Sequence, residues 1–94
     1  MNVDKAKKLI AKQVKKGVKG FPQVTLRYFG KSTQCATIAS IEYIQEEGGA
    51  PQEQRFTSSK DARDDEVIQS ALVKIIQRAD AQTVIENPEV VVID

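Results

Sequence analysis

The chain predicts an α+β fold, a two-layer sandwich in the order helix-strand-strand-strand-helix-strand with two helices on one face of an antiparallel sheet. Three observations carry that prediction. Apolar residues recur at steps of three and four in two segments, Val3 to Val18 and Ile68 to Ala79, as amphipathic helices require. Between them Val24, Leu26 and Tyr28 alternate with Thr25, Arg27 and Phe29, the two-residue period of a half-buried strand. Ninety-four residues with 40% apolar content supply one core and no more, so residues 1–94 are expected to form a single α+β domain.

The first helix is read from Val3, Ala6, Leu9, Ile10, Val14 and Val18, with Asn2 as its N-cap and Gly17 or Gly20 at its end. The strand Val24 to Phe29 then meets "FGKS", where Gly30 suits the first central position of a two-residue type II′ turn. That turn would set Tyr28 opposite Thr33, Leu26 opposite Cys35 and Val24 opposite Thr37. One face would gather Val24, Leu26, Tyr28, Cys35, Ala39, Ile41 and Tyr43 as core. The other would hold Thr25, Arg27, Phe29, Gln34, Ala36, Ile38, Ser40, Glu42 and Ile44, more apolar than a solvated face needs.

Residues 45–54 are polar, acidic and broken by Gly48-Gly49 and Pro51, a loop leading to a short third strand at 55–59. Ser58 followed by Asp61 resembles a capping box for the second helix, whose apolar stripe is Ile68, Ala71, Leu72, Ile75, Ile76 and Ala79. A short strand at 83–85, a turn at Asn87-Pro88 and a terminal strand at 89–93 complete the chain. The consecutive aliphatics Val90 to Ile93 call for cover on both faces, by burial or by a subunit contact.

Charge is divided along the chain. Residues 1–40 carry nine Lys or Arg against one acid, and residues 41–94 carry five against twelve, so a net charge of +1 conceals halves of +8 and −7. Such a split suits a polyanion partner, or halves that satisfy each other within the fold or across a dimer. The longest apolar run falls far short of the ~20 residues that span a bilayer, and the N-terminus lacks the apolar centre of a secretory signal. A cytoplasmic protein is expected, and a single cysteine agrees with a reducing compartment.

The residues point away from catalysis. Histidine is absent, so acid-base work at neutral pH has no ready agent, and Cys35 is expected to be an inert buried thiol. "FGKST" ends like a phosphate-binding loop but has Thr25 where the leading glycine belongs and no following helix. Asp61, Asp64, Asp65 and Glu66 are dense enough to suggest a cation, yet acids at a helix N-terminus are favoured by the helix dipole alone. Neither a metal nor a cofactor is expected, and the protein is read as no enzyme.

The lysines say more. Residues 5–20 hold seven, and on a helix six of their pairs stand three or four apart, which costs roughly 1–3 kcal/mol at low salt. Lys8, Lys12, Lys15, Lys16 and Lys19, with Arg27 and Lys31, are therefore candidate contacts for an anion or an acidic partner. A membrane surface is not expected, because the stripe lacks the bulky aromatic residues of interfacial helices. The order of helix, strands and helix resembles that of double-stranded RNA-binding domains, which would imply nucleic-acid binding. Asp61, Asp64, Asp65 and Glu66 stand where those domains carry basic residues at the start of the second helix.

The reading preferred from sequence is a small non-enzymatic binding module that self-associates as a homodimer or takes an acidic protein partner. Phe29, Ile38, Ile44, Val90 and Val92 are its candidate interface. The alternative is a nucleic-acid-binding protein that uses the lysine helix.

Overall fold

The computed structural model describes residues 2–16 and 20–93. Within them run α1 (Val3–Lys15), β1 (Gln23–Gly30), β2 (Ile38–Ile44), β3 (Gln52–Thr57), a short 3-10 helix (Ala62–Asp64), α2 (Glu66–Ala79) and β4 (Thr83–Val92). The order of helices and strands is the expected one. The sheet is ordered β3-β2-β1-β4, with β1–β2 and β2–β3 antiparallel.

The fourth strand corrects the expected antiparallel sheet, because β4 pairs parallel with β1 and the sheet is mixed. The reason is the connection. A tight turn can only reverse a strand, whereas α2 between β3 and β4 is long enough to carry the chain back and lay β4 down in the direction of β1. β4 is also one strand, not two. Its register moves from Leu26↔Glu86 to Tyr28↔Val90, so residues 87–89 bulge opposite Arg27 without ending the ladder.

α1 begins where Asn2 accepts the Lys5 N–H at 2.8 Å, as its N-cap position predicts. Ala6 and Ile10 are its fully buried residues. The expected helix end at Gly17, together with Val18 and Lys19, lies outside the described residues. The second helix starts later than expected. Asp65, not Ser58, is the N-cap of α2, accepting from Val67 at 3.0 Å and Ile68 at 3.3 Å, while Asp61 caps the short 3-10 helix. Ser58 instead donates to Asp65 at 2.8 Å and steadies the cap.

The β1–β2 connection is the second correction. Tyr28 faces Ala39, Leu26 faces Ile41 and Val24 faces Tyr43, so residues 31–37 form the loop where a two-residue turn was expected. Gly30 is required for a different reason than the one anticipated. A Cβ there would sit 2.1 Å from the Cys35 carbonyl oxygen, because the loop folds back against the end of β1. Cys35 is correspondingly a partly exposed loop residue and not core; Ala36, expected on the opposite face, takes the buried place.

One cluster forms the core. Val24, Leu26 and Tyr28 of β1, Ala39 and Ile41 of β2, and Val84 and Val90 of β4 meet Ala6 and Ile10 of α1 and Ile68, Leu72, Val73 and Ile76 of α2.

Candidate functional site

Strand alternation turns Thr25, Arg27, Phe29, Ile38, Ser40, Glu42 and Ile44 to the sheet face opposite that core. Phe29, Ile38 and Ile44 are half-buried there. Register sets Phe29 between Ile38 of β2 and Val91 of β4, while Ile44 pairs with Gln23 at the far end. The structure thus joins Phe29 and Ile38 and separates them from Ile44. A polar bracket covers the middle of this face. Ser40 donates to Glu53 at 2.7 Å, Arg55 donates to the other carboxylate oxygen at 3.1 Å, and the Arg55 guanidinium lies 5.4 Å from the Phe29 ring centroid. The Ser40 hydrogen bond, helped by Arg55 and Arg27, holds the Glu53 carboxyl below the usual carboxylate range.

The β4 border is chemically unlike the rest. Ile85, Val91, Val92 and Ile93 are four of the five exposed large hydrophobic residues among those described, the fifth being Val67 of α2. Val90 is not among them: it is 7% exposed and belongs to the core, so of the two expected β4 contacts only Val92 is open to solvent. The opposite border, β3, presents exposed Gln52, Glu53, Gln54, Arg55 and Thr57. Polar and charged side chains blunt that edge against pairing.

On α1 the side chains of Lys8, Lys12, Lys15 and Lys16 are exposed and, among the described residues, make no ion pair. Lys7 does, bonding Asp64 at 2.5 Å. Arg27 and Lys31 are exposed but stand on the sheet and its adjoining loop rather than with the helix lysines. The acidic cluster is occupied in holding the fold: Asp61 pairs with Arg63 at 2.6 Å, Asp64 with Lys7, and Asp65 with Ser58 and the α2 cap. Among the described residues no group of three or more Cys, Asp or Glu is placed to hold a metal ion.

A buried polar cluster went unsignalled by the sequence. Gln69, 1% exposed, donates to the Tyr28 hydroxyl at 3.1 Å and to the Ala62 carbonyl at 3.0 Å. Burial pushes the Tyr28 hydroxyl up to about 12 and raises the Glu86 carboxyl, while the Tyr28 hydroxyl and Lys7 favour the charged form of Glu86. The only early signals were Tyr28 on an apolar face and Gln69 beside Ile68 on the apolar stripe. Nearby, Arg63 donates to the carbonyls of Gln34 and Pro88 at 3.3 Å each, tying the 31–37 loop to the β4 bulge.

A groove of about 400 Å³ runs between α2 and the β2–β3 border over Ile41, Tyr43, Gln52, Gln54, Ile75 and Arg78. Among the described residues no helix is long and apolar enough to cross a membrane. Comparisons with protein-family models, with curated proteins and with solved structures return no match.

Proposed function

We propose that this chain is a small non-enzymatic interaction module that self-associates through its sheet, at the face opposite the core and along the β4 border. The observation that carries this reading is the gathering of Ile85, Val91, Val92 and Ile93 on one border while the other is polar. Aliphatic side chains left in water cost about 25 cal/mol for each Å² of apolar surface, and covering them with a like surface recovers that cost. Three of the four acids that sequence makes candidates for chemistry, Asp61, Asp64 and Asp65, are engaged as caps and ion pairs, which supports binding over catalysis. Sedimentation equilibrium from low to high micromolar concentration tests the reading. A mass twice that of the 10.4 kDa chain is expected, and a monomer throughout, at low and high salt, overturns it.

One observation favours a second reading, nucleic-acid binding: Lys8, Lys12, Lys15 and Lys16 are exposed with no acidic partner among the described residues. Fluorescence anisotropy with DNA and RNA at two salt concentrations separates the two. Binding that falls steeply with salt and disappears when the four lysines become Gln supports this second reading, and no binding at low salt removes it.

A further inference from the structure

Resting on the self-association reading, we infer that two copies of this chain join edge to edge, β4 against β4 in antiparallel pairing, with the two-fold axis at Val91. The backbone supplies the first argument. The Ile93 N–H bonds the Gly30 carbonyl at 2.8 Å, and β4 continues in parallel register with β1 through Phe29↔Val91 and Gly30↔Val92. Alternation along a strand then turns the N–H and C=O of Val90 and Val92 to the free border. Antiparallel pairing about Val91 lets Val90 of each copy exchange both hydrogen bonds with Val92 of the other. The two sheets become one of eight strands.

Side chains supply the second. Residues 90–93 carry no charge, so an identical strand laid against them brings no like charges directly opposite. The run has unlike ends. Glu89 precedes it, and Lys31 follows Gly30, the residue that pairs with Val92 and accepts from the Ile93 N–H; both are exposed. Two-fold antiparallel pairing sets Glu89 of one copy across from Ile93 of the other, about 10 Å from that copy's Lys31 at two strand spacings. Counted by the two-residue period from Val91 and Phe29, Glu89 and Lys31 fall on the same side of the sheet, where their long side chains can meet. An axis at Val92 would lose this pairing, which is why Val91 is chosen. The bulge at 87–89, with Pro88, limits backbone pairing to the strand from Val90 onward and leaves Glu89 to contribute its side chain alone.

Two variants and one exchange test the arrangement. Val92→Pro removes an outward N–H and leaves the β1 ladder its donors, so a folded monomer by circular dichroism and sedimentation is expected. Glu89→Lys and Lys31→Glu are surface changes. Each alone is expected to weaken the dimer between about two- and thirty-fold, two symmetric exposed pairs being lost, and the double exchange to restore it. A dimer of unchanged affinity in Val92→Pro, or a charge exchange without recovery, overturns the edge pairing while leaving self-association by another surface in place. A wild-type monomer overturns both.

Discussion

Gly30 shows how a residue can be required for a reason other than its turn propensity. Its flank meets the Cys35 carbonyl, a backbone atom that cannot swing aside, so the Gly30→Ala variant is expected to lose about 1–3 kcal/mol. Urea unfolding of the two proteins measures this; equal midpoints would contradict the close approach. Tyr28 and Glu86 make the second prediction at this scale. Burial raises the Glu86 carboxyl, so its protonated form is favoured in the fold and the stability it contributes is present below the ordinary carboxylate range. That contribution is lost as pH rises through the raised value. Tyr28→Phe removes a donor to the charged form, moves the loss to higher pH, and costs about 1–2 kcal/mol through the broken Gln69 contact. Unfolding free energies across a pH series check both, and an unshifted profile would contradict the assignment. Val24, Leu26, Tyr28 and Ile41 were legible as core from alternation, while Cys35, Ala36 and Val90 were misplaced and the Tyr28–Gln69 bond was not legible, because it joins residues 41 positions apart.

The elements were legible to the extent that their signals are local. The spacing of Val3, Ala6 and Ile10 and the cap at Asn2 specify α1 without reference to the rest of the chain. The β1–β2 pairing shows where locality ends. The expected register placed Tyr28 against Thr33 and the observed one places it against Ala39, six residues on. Because six is even and side chains alternate with period two, every core face assignment in β2 survives the error, while Cys35 does not. A seven-residue loop held by Thr37 to Phe29 and by Ala62 to Ala36 depends on the 3-10 helix far along the chain. The parallel pairing of β4 likewise depends on the path of α2. On α1, Lys8, Lys12, Lys15 and Lys16 contain three like-charge pairs at helical spacing, so changing all four to Gln is expected to stabilise the protein by about 1 kcal/mol at low salt. Thermal unfolding should show the gain shrinking at high salt; destabilisation instead would mean that these lysines meet acids in the fold.

For the molecule as a whole, the opposite charges of its two halves meet only in part among the described residues. Lys7–Asp64 joins the basic helix to the acidic segment, while the other α1 lysines keep their exposure. The two borders of the sheet differ in the same way: β3 is closed to pairing by its side chains, and β4 is open from Val90 onward. A sheet with one blunted edge and one aliphatic edge has a single direction in which to grow, and pairing of two open edges uses it up. The proposed edge pairing would therefore close at a dimer and not extend into a fibre. Amide hydrogen exchange at low and high protein concentration reads that claim residue by residue. The Val90 and Val92 amides are predicted to slow as concentration rises while those of β3 stay unchanged; fast exchange at Val90 and Val92 at every concentration would contradict the account.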